Sequence, residues 1–168
     1  SEMCIRDRDM TAFAKCRIKG PKAEEFLDNL VANKLPKKVG RINLCHALNT
    51  KGGVHSEFTI MRESENSFYL VSAGAFQRLD HDWILKWMPK DGSVQFENLT
   101  NSTGVLVVSG PKARELMTRV SKDDFSNENF KWLSAKNVDV GYAPVNAMRV
   151  NFVCLLYTSD AADDLVCV

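Results

Sequence analysis

The 168-residue sequence lacks most of the features that announce a function directly. It has no Gly-x-Gly-x-x-Gly phosphate loop, which removes the Rossmann-type dinucleotide reading. No apolar run is long enough to span a bilayer as a helix. Its three histidines, His46, His55 and His81, show no metal-ligand spacing, so no metal site is expected. No His-Ser-Asp arrangement can be defended from spacing either. Charge is almost balanced, with 22 basic and 21 acidic residues and no block of one sign, so nothing in it demands a nucleic-acid or membrane partner.

The two ends read differently from the middle. Residues 1–8, Ser1-Glu2-Met3-Cys4-Ile5-Arg6-Asp7-Arg8, and the stretch from Cys154 to Asp164 look like translated transposon adapters from sequencing libraries. Residues 1–8 and 154–168 are therefore set aside as tails, and 9–153 are read as a fragment of a domain. Residues 1–7 and 154–168 are expected to make few contacts with the core. Without the tails, 20 basic residues face 16 acidic ones, and only Cys16 and Cys45 remain of the five cysteines. Two such residues suggest buried thiols in a reducing compartment, not a disulfide framework or a zinc site.

What the sequence does contain is a repeat. Ile18-Lys19-Gly20-Pro21-Lys22-Ala23-Glu24-Glu25-Phe26-Leu27 returns ninety positions later as Val108-Ser109-Gly110-Pro111-Lys112-Ala113-Arg114-Glu115-Leu116-Met117. Each copy reads as a strand end, a Gly-Pro turn and a helix, with proline suited to the first helical position. Apolar residues then keep helical spacing: Ala23, Phe26, Leu27, Leu30 in one copy, Ala113, Leu116, Met117, Val120 in the other. Strands are expected at 13–18, 41–48, 54–61, 68–73, 94–99, 105–108, 138–140 and 145–153. A helix over 76–88 carries Leu79, Trp83, Ile84 and Trp87 as its apolar stripe, and a short element at 125–133 has Ser126 as its cap. Such a layout is α+β, two ferredoxin-like β-α-β halves whose Gly-Pro helices pack on separate sheets.

The best candidate for chemistry is the hairpin signal Asn49-Thr50-Lys51-Gly52-Gly53 and the strand after it. Alternation sends His55, Glu57 and Thr59 to one face and Ser56, Phe58 and Ile60 to the other. A carboxylate at Glu57 in an apolar-lined pocket would have a raised pKa and could exchange protons. A solvated strand glutamate is the bland alternative. Trp83 and Trp87 are read as core, and Asp80 and Asp82 as acids favoured near a helix N-terminus.

Several segments together carry a family resemblance: Phe13-Ala14-Lys15, Leu30-Val31-Ala32-Asn33-Lys34-Leu35-Pro36, Lys38-Val39-Gly40-Arg41-Ile42, His46-Ala47-Leu48-Asn49, Gly52-Gly53-Val54, Phe68-Tyr69-Leu70-Val71-Ser72-Ala73-Gly74 and Gly104-Val105-Leu106-Val107-Val108-Ser109-Gly110-Pro111, with Arg149-Val150-Asn151-Phe152-Val153 at the end. They resemble, in order, the folate-binding region of dimethylglycine and sarcosine dehydrogenases, which is similar to the aminomethyltransferase T-protein of the glycine cleavage system. The resemblance implies a domain that binds tetrahydrofolate and captures the iminium made when a flavin domain oxidises an N-methyl amine, giving 5,10-methylenetetrahydrofolate. It implies FAD in a domain upstream and a barrel domain downstream in the full protein, with the fragment alone inactive. Glu57 falls where the T-proteins carry a catalytic Asp. Leu44 stands at a Tyr position, Ser72 at an Asn position of the pterin pocket and Phe152 at another Tyr position, while Thr59 offers backbone contacts to the folate. The compartment implied is the cytoplasm of a bacterium or the mitochondrial matrix of a eukaryote.

Two rivals belong to other classes. A non-enzymatic folate-fold protein of the iron–sulfur assembly type would share the fold without the flavin partner. An RNA-binding ferredoxin-like module would need exposed aromatics with basic neighbours on central strands, which Ile18-Lys19-Gly20-Pro21 does not supply.

Overall fold

Gly20 and Gly110 each open a turn that only a residue without a side chain adopts easily, with φ of +133° and +116°. The computed structural model describes residues 6–150 and 165–167. In both turns the amide three residues on closes back on the glycine carbonyl, Ala23 to Gly20 at 3.0 Å and Ala113 to Gly110 at 2.9 Å. The prolines thus occupy the second position of a β-turn, two residues before each helix instead of at its first position as expected, and their fixed φ suits that turn equally. Lys22 and Lys112 follow with matching dihedrals, φ −109° and −108°, and each precedes an eight-residue helix: α1 at Ala23–Leu30 and α3 at Ala113–Val120.

The chain divides into two units. The first half, Ala12–Thr103, holds β2 (Ala14–Lys19), α1, β3 (Ile42–Leu48), β4 (Val54–Ser64), β5 (Ser67–Ser72), a 3-10 turn at Gly74–Phe76, α2 (Gln77–Trp87) and β6 (Gln95–Asn98). Its sheet has the order β3-β4-β5-β2-β6, all neighbours antiparallel. The second half, Gly104–Val168 with Ser1–Thr11, holds β1 (Arg6–Asp9), β7 (Leu106–Ser109), α3 (Ala113–Val120), β8 (Ser134–Val140), β9 (Ala143–Arg149) and β10 (Leu165–Cys167). Its order is β8-β9-β10-β7-β1, again antiparallel throughout. Strand for strand this repeats the first half, so the duplication is one of topology, and the two Gly-Pro helices do belong to separate sheets.

Each half buries an apolar layer under its helix. In the first, Phe26, Leu27 and Leu30 of α1 meet Ile18, Phe58, Ile60, Phe68 and Leu70 of the sheet. Side chains of that size contribute roughly 1.5–3 kcal/mol each when fully buried. In the second, Ala113 and Met117 join Val108, Val138, Ala147, Phe125 and Phe130. Cys16 and Cys45 are buried free thiols, as their scarcity suggested.

Three expectations are corrected. Residues 125–133 form turns instead of a helix, although Ser126 caps as expected: its Oγ accepts the Asn129 amide at 3.4 Å and its carbonyl accepts the Phe130 amide at 2.8 Å, a single helical turn that goes no further. The apolar stripe of α2 holds at Ile84, which is buried, and at Trp83, which packs on the core, but not at its ends. Asp80 and Ile84 are its buried residues, while Leu79 is 47% and Trp87 52% exposed. The tails are also not wholly off the core, because Arg6–Asp9 pairs with β7 and Leu165–Cys167 lies between β7 and β9. Ladder bonds use backbone groups that every residue carries, so a strand edge accepts any extended segment within reach.

Candidate functional site

The β3–β4 hairpin sets the geometry. Its turn is held by Asn49, whose Oδ1 accepts the amides of Lys51 at 2.9 Å and Gly53 at 3.1 Å, while Gly52 takes φ +79°. One step into the strands the register shifts: Ala47 pairs with Ser56 but Leu48 with Val54, leaving His55 as an extra residue in a β-bulge. The bulge turns His55 away from the face expected for it. Its ring stacks on Trp83 of α2 at 4.0 Å, and Trp83 packs against the α1-side core. Beyond the bulge alternation holds, with Ser56, Phe58 and Ile60 buried on the helix side and Glu57 and Thr59 on the outer face.

Across that outer face the register aligns Leu44, Thr59, Val71 and Lys15, and beside them His46 with Glu57. Exposure grades from Leu44 at 50% to Lys15 at 0%. The face therefore brings Leu44, Thr59 and Glu57 together. Ser72 is not among them: it sits opposite Ala14 on the helix side and is 8% exposed, so Val71 takes the outward position expected of it. Phe152 lies outside the described residues.

Glu57 is not in an apolar pocket. Its side chain is 61% exposed, and its Oε2 lies 3.1 Å from the His46 Nε2. The reason is position: β3 is the edge strand of the sheet, and the pair stands on the face away from α1. His46 is anchored in turn by Asn33, whose Oδ1 lies 3.1 Å from its backbone nitrogen and 3.2 Å from Nδ1. Neither His46 nor Asn33 stands out in the sequence as a partner of Glu57.

Sequence reading also misses the polar row next along this face. Arg17 grips Glu63 with two bonds of 2.6 and 2.9 Å and reaches Glu97 at 3.1 Å, and Ser67 adds a bond to Glu63 at 2.8 Å. The Glu63 hydrogen bond, outweighing burial, holds the Arg17 guanidinium above its usual pKa. Tyr69, opposite Arg17, has a buried hydroxyl without a hydrogen-bond partner among the described residues, and burial pushes its pKa up. The alternating Lys15, Arg17 and Lys19 of β2 are the one signal of this row in the sequence.

On the opposite side of the hairpin, Phe26, Leu30, Leu48, Asn49, Trp83 and Trp87 line a cavity of about 310 Å³. The Lys86 ammonium lies 5.3 and 5.0 Å from the two indole centroids. Among the described residues no three His, Cys, Asp or Glu side chains converge as metal ligands would, and no helix is long and apolar enough to cross a membrane.

This sheet pair, with its carboxylate-bearing face, is an α+β fold of the folate-binding aminomethyltransferase kind. The chain belongs to the GCVT N-terminal domain family, whose model matches residues 8–156. It is 37% identical over 145 residues to the mitochondrial dimethylglycine dehydrogenase of Homo sapiens, covering 86% of this chain and 17% of that protein. It is 33% identical over 144 residues to the mitochondrial pyruvate dehydrogenase phosphatase regulatory subunit of Mus musculus, covering 84% of this chain and 16% of that one. Among solved structures, the glycine cleavage system aminomethyltransferase T from Bartonella henselae superposes with a TM-score of 0.78 at 17% identity, over 97% of this chain and 41% of that one. The chain thus spans about a sixth of the length of these two curated relatives.

Proposed function

We propose that the chain is the tetrahydrofolate-binding, one-carbon-transfer domain of a flavin-dependent N-methyl amine dehydrogenase acting on dimethylglycine or sarcosine. The observation that carries this reading is the outer sheet face, where an exposed carboxylate, Glu57, stands beside a half-exposed apolar residue, Leu44, and the partly exposed Thr59. A reduced pterin needs that combination: apolar surface under its ring, and an acceptor for its N–H groups. In this reading Leu44 supports the ring, Thr59 offers polar contact, and Glu57 accepts a proton at the folate amines. Bound tetrahydrofolate supplies two nucleophilic nitrogens that take up the iminium carbon as the 5,10-methylene group, releasing the amine as its ammonium. FAD belongs to another domain of the full protein, which generates the iminium; the barrel domain lies in cis as well. The mitochondrial dehydrogenase relative supports the matrix for a eukaryotic source; for a bacterial source the compartment is the cytoplasm.

Isothermal titration of the 168-residue chain with tetrahydrofolate tests the site. A saturable one-to-one heat is expected, lost in Leu44→Asp; no heat in the unsubstituted chain would overturn the reading. A second reading has support in the regulatory-subunit relative, a protein not named as an enzyme. A non-enzymatic folate-fold domain would give the same heat, yet substitution of Glu57 would leave product formation by the full protein untouched.

A further inference from the structure

Glu57 is the outer end of a chain of hydrogen bonds that begins between α1 and β3. The His46 backbone amide, which can only donate, reaches the side chain of Asn33 at 3.1 Å, so the Asn33 atom there is the carbonyl oxygen Oδ1. That same oxygen lies 3.2 Å from the His46 Nδ1 and carries no proton of its own, so Nδ1 must be the protonated nitrogen of the ring. A neutral imidazole in that tautomer presents a lone pair at Nε2. The Glu57 Oε2 opposite it, at 3.1 Å, also presents lone pairs when ionised. The contact becomes a hydrogen bond only when one proton sits between them, on either atom.

We propose that Asn33, His46 and Glu57 form a proton relay in which Asn33 fixes the His46 tautomer and the His46–Glu57 pair holds a place for one proton, exchanged with an amine presented to the outer sheet face. Exposure suits the roles: the Glu57 side chain is 61% exposed and that of His46 30%, so the carboxylate meets the ligand and the ring stands behind it. Among the described residues the ring nitrogens meet Asn33 from the α1–β3 connection and Glu57 from β4, and Glu57 is the ionisable one of the two. With the place empty, an amine N–H bond breaks, its electron pair stays on nitrogen, and the proton fills the gap between Oε2 and Nε2. The reverse step returns it to a departing amine. No electrons are transferred. Glu57 is the catalytic candidate; His46 and Asn33 are positioning residues. The relay rests on the folate reading of this face only for the identity of the amine.

The test uses the full chain with ¹⁵N-labelled histidine and no ligand, read by long-range proton–nitrogen correlation, which tells Nδ1–H from Nε2–H imidazole. Neutral His46 is expected as the Nδ1–H tautomer. Asn33→Ala should move it to Nε2–H, and Asn33→Asp, which keeps an acceptor oxygen, should restore Nδ1–H. Finding Nε2–H in the unsubstituted chain would overturn the relay, and so would an Asn33→Ala spectrum unchanged from it. Because no folate is present, a failed titration would sink the folate site alone and a wrong tautomer would sink the relay alone.

Discussion

Leu133 stands in the second half where Gly40 stands in the first. Both hold the left-handed backbone, at φ +54° and +78°, and both donate their amide to the carbonyl of an arginine late in the third strand, Arg149 at 2.9 Å and Arg62 at 2.8 Å. Each arginine also binds a carbonyl of the connection that precedes it, Phe130 for Arg149 at 2.6 Å and Pro36 for Arg62 at 3.3 Å. The duplication therefore extends past the Gly-Pro helices to the latch that lays the second strand on the third.

If that latch requires a left-handed residue, Gly40→Ala should cost about 1–2 kcal/mol, the usual penalty for a side chain in this conformation. Urea unfolding would read it as a lower midpoint at constant slope. An unchanged midpoint would show that the connection can close another way.

Arg62 offers the second test. Its side chain is 7% exposed and serves Glu24 at 2.6 and 3.1 Å, the Pro36 carbonyl and the Glu65 carbonyl at 2.8 Å. Arg62→Met should destabilise the chain by about 2–3 kcal/mol, mostly through carbonyls left unpaired, since Glu24 is half exposed. Arg62→Lys should recover little, because one ammonium cannot span that fan of acceptors. Full recovery by lysine would mean that charge alone matters here.

These latches mark the boundary of what the sequence discloses. The Gly-Pro helices were legible because glycine, proline and apolar spacing are local signals. Leu133 in place of Gly40 hides the second latch from any glycine-based reading. At the site, counting outward from the Asn49–Gly53 turn without a bulge puts Cys45 opposite Glu57; the extra residue at His55 moves the register by one and delivers His46 instead. A bulge arises from strand pairing, so its effect on His46, His55 and Glu57 is invisible in one strand alone. Helical spacing likewise gave Trp83 and Ile84 as core but also drew in Leu79 and Trp87, which are exposed.

Stability should fall in alkali, with a sign set by the buried thiols. Burial pushes Cys16 up to about 12, with Asp80 adding to it, and Cys45 up to about 11, against an ordinary 9.0. Below pH 9 the thiols are neutral whether the chain is folded or not, and the benefit of burying them stands intact. Above it the unfolded thiols ionise while the folded ones stay protonated, so each loses roughly 1.4 kcal/mol of stability per pH unit until its folded pKa is reached. Urea midpoints at pH 8.5 and 10.5 should differ accordingly. Replacing Cys16 and Cys45 together by alanine should flatten that difference even though the starting stability is lower, and an equally steep fall would assign it to other groups.

The last prediction separates the carboxylate's charge from its place on the sheet. Glu57→Gln keeps the size and hydrogen-bonding reach of the side chain but cannot take up a proton, whereas Glu57→Asp keeps the acid and draws it back from the His46 Nε2, now 3.1 Å away. In the full-length enzyme supplied with amine and tetrahydrofolate, Glu57→Gln should slow methylenetetrahydrofolate formation by about 10²–10⁴-fold, the ordinary range for a lost general base. Flavin reduction by the amine, chemistry of a separate domain in the proposed function, should proceed at its normal rate. Because Glu57 is exposed, neither substitution should move the thermal midpoint appreciably, so lost activity cannot be charged to lost fold. Glu57→Asp should fall between the two if reach to His46 matters, and should match the unsubstituted enzyme if the carboxylate acts alone. Rapid-quench assay of the folate product beside stopped-flow reading of the flavin decides it: folate product formed at the normal rate by Glu57→Gln would remove Glu57 from the chemistry.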